Sequence, residues 1–163
     1  MRPTAHSPLP APVGSRVEVL LAEDDRDLRR FLAQALQRDG YHVTEVDSGH
    51  GLLDELWERA ASKAGFDLII SDVQMPGFTG VEVLEVLRDK CVVADDYEPQ
   101  LRDTPLILIT AFGDPQVHAD ARRLGAVVFD KPFDVDDLRA LAVKLVQPVD
   151  ELASVYQDEG EGG

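Results

Sequence analysis

Several carboxylates, one hydroxyl and one ammonium each sit directly after a short β-rich run. Glu23-Asp24-Asp25 close the first run, Asp72 the third and Thr110 the fourth, and Lys131-Pro132 follow the fifth. Carboxylates gathered in one crevice repel each other unless a cation joins them. Oxygen donors without His or Cys suit a hard ion such as Mg²⁺. Such an ion lets an anionic phosphoryl group approach a carboxylate, and a lysine ammonium adds fixed positive charge for phosphoryl oxygens. These residue types point to phosphoryl chemistry on an aspartate.

The elements that must position them alternate between two hydrophobic periods. Strand-like runs fall at 17–22, 42–46, 67–71, 105–109 and 126–129. Between them lie helical patterns. The first places Leu28, Phe31, Leu32, Ala35 and Leu36 on one face and ends before Gly40, a C′ glycine. The second runs over 49–63 with Leu52, Leu53, Leu56 and Ala60 inward, and the third over 79–90 with Val83, Leu84 and Leu87 inward. The fourth starts at Asp114 as N-cap with Pro115 at N1, carries Val117, Ala121 and Leu124, and stops at Gly125. The fifth follows Pro132, with Leu138, Leu141, Ala142 and Leu145 as its stripe. Five strands alternating with five helices predict an α/β fold with a doubly wound parallel sheet, (βα)₅. The third and fourth strands, DLIIS and PLILIT, are nearly continuous apolar runs, as strands covered on both faces should be. In such sheets the site lies outside the carboxyl ends of the strands, at the topological switch point.

Composition sets the limits. The 163 residues suit one domain, and 44% hydrophobic with 29% charged residues is a globular mix. Residues 1–16 hold four of the ten prolines and read as a flexible arm, 17–147 as the domain, and 148–163 as a partly disordered acidic, Gly-rich tail. The net charge of −15 lies mostly on the body, which argues against direct nucleic-acid binding and against an anionic membrane surface. No run approaches a membrane span, and no secretory signal opens the chain. The single cysteine, Cys91, excludes an internal disulfide and fits a cytoplasmic setting. His6, His42, His50 and His118 share no spacing and none is assigned to a metal. Trp57 reads as helix packing, and Arg122-Arg123 as a solvated face that can meet partners.

The pieces VLLAEDD at 19–25, DLIISDVQMPGFTG at 67–80, LILITA at 106–111 and DKPF at 130–133 resemble, in order and spacing, the receiver domains of bacterial two-component response regulators. The resemblance covers about residues 16–147. It implies the flavodoxin-like fold of the chemotaxis type, a five-stranded sheet of order 2-1-3-4-5. It implies Asp72 as phosphoacceptor, Asp24 as direct Mg²⁺ (or Mn²⁺) ligand, Glu23 acting through water, and the Gln74 backbone carbonyl completing the protein ligands. It implies Lys131 on the phosphoryl oxygens through a cis bond to Pro132, a Thr110 hydroxyl that moves toward the group, and a small Ala111 that leaves room. The donor would be a histidine kinase or histidine phosphotransfer protein, with output through a downstream protein target or onward transfer. The chain would catalyse only its own phosphoryl transfer and slow dephosphorylation. An exposed Phe31 or Leu36 on the first helix would serve kinase docking.

The sequence departs from that pattern in places. Thr79-Gly80 stands where Asp-Gly is common, and a polar insertion falls around 91–103. The switch aromatic of the family falls on Val128 counted from Lys131, and on Phe129 counted from Gly125. The two positions that set dephosphorylation rate are Gln74 and Phe112, and a bulky Phe112 would shield the acyl phosphate.

Two other classes compete. A degenerate receiver that binds partners without phosphorylation is opposed by Asp72, Asp24 and Lys131. A phosphatase working through an aspartyl phosphate would place a second acid two residues after its nucleophile, where this chain has Gln74. A dinucleotide-binding domain fails because no GxGxxG follows the first strand.

Overall fold

The computed structural model describes residues 16–89, 101–111 and 113–146. The expected arm, most of the insertion, Phe112 and the acidic tail lie outside the described residues. The order is β1 (Glu18–Ala22), α1 (Arg26–Arg38), β2 (His42–Val46), α2 (Gly49–Ala61), β3 (Leu68–Asp72), α3 (Gly80–Arg88), β4 (Leu106–Thr110), α4 (Pro115–Leu124), β5 (Val127–Asp130) and α5 (Val135–Val146). The strands are parallel and lie in the order β2-β1-β3-β4-β5, the expected topology.

Strand alternation splits the apolar residues between two cores. Val19, Leu21, Leu68, Ile70, Ile107 and Ile109 meet Leu32 and Leu36 of α1 and Leu138 and Ala142 of α5. On the other face, Leu20, Ile69, Leu106 and Leu108 meet Leu52 and Leu56 of α2, Leu84 and Leu87 of α3, and Ala121 of α4. Every residue of β3 and β4 is buried. Each fully buried Leu or Ile contributes about 1.5–3 kcal/mol relative to exposure, so these two strands anchor the domain.

Side-chain caps fix where the helices begin, and therefore where the loops above the sheet end. Asp25 accepts from the N–H groups of Asp27 and Leu28, Ser48 from Gly51, and Asp114 from Gln116. Thr79 and Glu82 form a reciprocal capping box at α3. Gly40 and Gly125 end α1 and α4 with positive φ, the conformation that glycine adopts without a steric penalty.

Two expectations need correction. Strands β3, β4 and β5 each begin and end one residue later than the apolar runs suggest, which brings Asp72 and Thr110 inside the ladders. Leu36 is fully buried, so it cannot serve docking; it faces the sheet together with Leu32 and Ala33. Phe31, one step around the helix, is 54% exposed.

Two polar features tie distant segments. Arg139 of α5 donates from Nε and Nη2 to both carboxylate oxygens of Asp39, the C-cap of α1, at 2.7 and 2.6 Å, and both residues are buried. Arg88 at the end of α3 donates to the carbonyls of Leu124, Leu101, Arg102 and Thr104. It thereby fastens the segment leading into β4 to the end of α4.

Candidate phosphoryl-acceptor site

The crossover from β1 to α1 leaves one side of the sheet and that from β3 to α3 the other, so a crevice opens between β1 and β3. Glu23 and Asp24 follow β1, and Asp72 ends β3. One carboxylate oxygen from each lies within 4.8 Å of the others. Asp24 is exposed, whereas Glu23 and Asp72 are buried, with 1% and 4% of their surface accessible. Asp25 does not join them, because its carboxylate is spent on the α1 cap.

Lys131 enters from β5. Its Nζ lies 2.7 Å from Asp72 Oδ2 and 3.4 Å from Glu23 Oε2. Its backbone N–H donates to the Thr110 carbonyl at 2.7 Å, and the Lys131–Pro132 bond is cis, as expected. The other Asp72 oxygen, Oδ1, accepts from the Gln74 N–H at 3.0 Å, so both oxygens of this carboxylate are oriented. Glu23 Oε1 accepts from the Asp25 N–H at 3.0 Å, and Arg29 donates to the Glu23 carbonyl at 2.8 Å.

Electrostatics follow from this crowding. Burial pushes the Glu23 carboxyl up to about 7; the Asp25 N–H acts against that shift and the Asp72 charge adds to it. For Lys131, burial favours the neutral form, yet its bonds and charges with Asp72 and Glu23 outweigh this and hold it above its usual range. A buried carboxylate pair with one ammonium beside it leaves negative charge to neutralise, and the donor set is all oxygen. That chemistry fits a hard divalent cation.

Thr110 is buried at the end of β4 opposite Asp130, and Ala111 beyond it is exposed. The two candidates for a switch aromatic part company. Val128 packs toward α2, α3 and α4, and Phe129 toward the α1 and α5 side, edge-on to Phe133 at 5.8 Å between ring centroids. The position that counts from Lys131 therefore carries no ring, and the ring at Phe129 lies on the opposite face of the sheet. Phe112 lies outside the described residues.

Sequence reading passed over the glycines that let the loop from β3 to α3 close on the site. A Cβ on Gly80 would stand 2.6 Å from the Asp72 carbonyl oxygen, and one on Gly49 would stand 2.0 Å from the Phe78 carbonyl oxygen. The Gly-containing pieces 49–51 and 77–80 carry that signal, because close backbone approach selects glycine.

A doubly wound domain with an acid-lined crevice at its switch point and a lysine reaching into it defines a class built to handle phosphoryl groups. Residues 19–143 match the response regulator receiver domain, and the chain belongs to that family of two-component signalling proteins. It is 37% identical over 122 residues to the response regulator receiver protein CpdR of Brucella abortus, covering 74% of this chain and 88% of CpdR. It is 36% identical over 140 residues to the C4-dicarboxylate transport transcriptional regulatory protein DctD of Pseudomonas aeruginosa, covering 82% of this chain and only 27% of DctD. Among solved structures it resembles the chemotaxis response regulator CheY4 of Vibrio cholerae, with a TM-score of 0.65, 29% identity, and coverage of 80% of this chain and 99% of that one. Among the described residues no helix is long and apolar enough to cross a membrane.

Proposed function

We propose that Asp72 accepts a phosphoryl group from a phosphohistidine donor, a histidine kinase or a histidine phosphotransfer protein. The observation that carries this reading is the Lys131 ammonium held 2.7 Å from a buried Asp72 that also lies beside Glu23 and Asp24. The acid cluster would hold Mg²⁺ or Mn²⁺ through Asp24, Asp72, the Gln74 carbonyl and, by way of water, Glu23. When bound, such an ion neutralises charge on the transferring phosphoryl oxygens.

An Asp72 carboxylate oxygen forms the new O–P bond as the P–N bond to the donor imidazole breaks, and the electron pair stays on the imidazole nitrogen. The Gln74 N–H holds the carboxylate in register for attack. Lys131 passes its ammonium contact from the carboxylate to the phosphoryl oxygens, Thr110 supplies a hydroxyl, and Ala111 leaves space. The donor approaches across α1, where the exposed Phe31 lines a mostly apolar hollow of about 420 Å³ together with Leu28, Lys131, Pro132, Phe133, Asp134 and Val135. Output runs through protein contacts or onward transfer, in a cytoplasmic setting and with no turnover of an external substrate. A phosphorylation-independent binding module is the second reading, favoured by the aliphatic Val128.

Intact-mass analysis after incubation with acetyl phosphate and Mg²⁺ separates the two. A one-phosphoryl gain that is lost in Asp72→Asn and without metal supports the acceptor. No gain in the unaltered protein, with Mg²⁺ binding shown separately, overturns it in favour of the binding module.

A further inference from the structure

The loop that carries Gln74, residues 73–79, is held from three sides. Its ends close on each other through the bond from the N–H of Gly80, the first residue of α3, to the Val73 carbonyl at 3.0 Å. Below, Met75 is buried in the core. The third side is the start of α2: the Gly49 N–H donates to the Pro76 carbonyl at 3.2 Å, and the His50 ring stands edge-on to Phe78 at 4.9 Å between centroids. Gly77, at φ +85°, completes the fit, since a Cβ there would lie 2.5 Å from His50 Cδ2.

His50 is exposed, and its described contacts are with Phe78 and Gly77 of the loop rather than with the acid cluster. We propose that His50 is a positioning residue: its ring clamps Phe78 and Gly77, and through them fixes the backbone at Gln74 that orients Asp72 and would supply the carbonyl ligand. The inference rests on the acceptor reading above. The contact is ring against ring, so an aromatic ring at this position is what the loop needs. An edge-on aromatic pair of this kind is worth a roughly two- to tenfold change in a local equilibrium.

The test compares His50→Ala and His50→Phe with the unaltered protein in two assays. Hydrogen exchange of amides 73–75 and 77–80 is measured in chelator-treated protein, and Mg²⁺ affinity is measured by calorimetry. His50→Ala should speed exchange of the loop and weaken Mg²⁺ binding, each about three- to tenfold, with melting of the domain little changed; His50→Phe should restore both. Unchanged loop exchange in His50→Ala overturns the proposal, as does a loss in both variants alike or a general loss of protection across the sheet. The exchange assay needs neither metal nor phosphoryl transfer, so a protein that fails to take up phosphate overturns the acceptor reading and leaves this one to be decided on its own data.

Discussion

Lys131 Nζ and Asp72 Oδ2 meet at 2.7 Å across 59 residues of chain, and the lysine also reaches Glu23 Oε2 at 3.4 Å. This ammonium is the one cation that touches both buried acids among the described contacts. Its removal leaves two buried carboxylates facing each other. Lys131→Ala should therefore lower the stability of metal-free protein by about 1–3 kcal/mol, less than for a fully buried pair because the lysine head is partly solvated. It should also cut the rate of phosphoryl uptake from acetyl phosphate by tenfold or more. Urea unfolding in chelator and intact-mass time courses read the two effects.

The raised Glu23 gives stability a pH dependence of definite sign. Burial lifts this carboxyl from its ordinary 4.5 to about 7. Between those values the native protein keeps a proton that the unfolded chain has lost, so stability falls as pH rises across that window. Glu23→Gln has no such proton to lose. Urea unfolding of metal-free protein should show the unaltered chain losing stability relative to Glu23→Gln from about pH 4.5 to 7, and added Mg²⁺ should offset the loss at the upper end. Parallel curves would show that the carboxyl is not raised.

Gly80 bears directly on the acceptor. A Cβ there would stand 2.6 Å from the Asp72 carbonyl oxygen and 2.9 Å from Leu108 Cδ2. Gly80→Ala must push α3 away from the end of β3, at a cost of about 1–3 kcal/mol. Phosphoryl uptake should slow more than in an alanine substitution of similar stability placed away from the site, which acetyl phosphate kinetics would reveal.

The Asp39–Arg139 pair predicts the opposite pattern. It joins the C-cap of α1 to α5, some 20 Å of helix away from the acid cluster. Asp39→Ala removes two charge-assisted bonds from the buried guanidinium, which keeps its bond to Asp136, and should cost about 1–3 kcal/mol. Under conditions where the variant remains folded, its rate of phosphoryl uptake should match that of the unaltered protein.

The reading from sequence was most successful where a residue's place follows from local pattern. The runs LIIS and LILIT are apolar at every step but the last residues, and both strands are buried throughout. Asp114-Pro115 names its helix start outright. Strand ends were displaced because a parallel ladder is closed by its neighbours: the Val73 N–H still reaches the Ile109 carbonyl, so Asp72 belongs to β3 although it is charged. Glu23, Asp24, Asp72 and Lys131 could be picked out because each directly follows a strand-like run, and they do converge. His50 and Gly77 carry no such mark; their contact arises only when α2 and the loop after β3 are laid side by side. The Arg139–Asp39 pair spans 100 residues, and neither residue stands in a motif.

The same ion pair has a consequence for the order in which the chain is made. Asp39 leaves the ribosome 100 residues before Arg139. Until that arginine arrives, the carboxylate at the end of α1 lacks the two bonds it accepts from α5 in the finished fold. Synthesis of the acceptor crevice is complete once Lys131 has emerged, yet the core face that α1 shares with α5 is filled only when the last helix joins it. A nascent chain stalled short of α5 therefore holds Glu23, Asp24, Asp72 and Lys131 and still leaves one face of its sheet open.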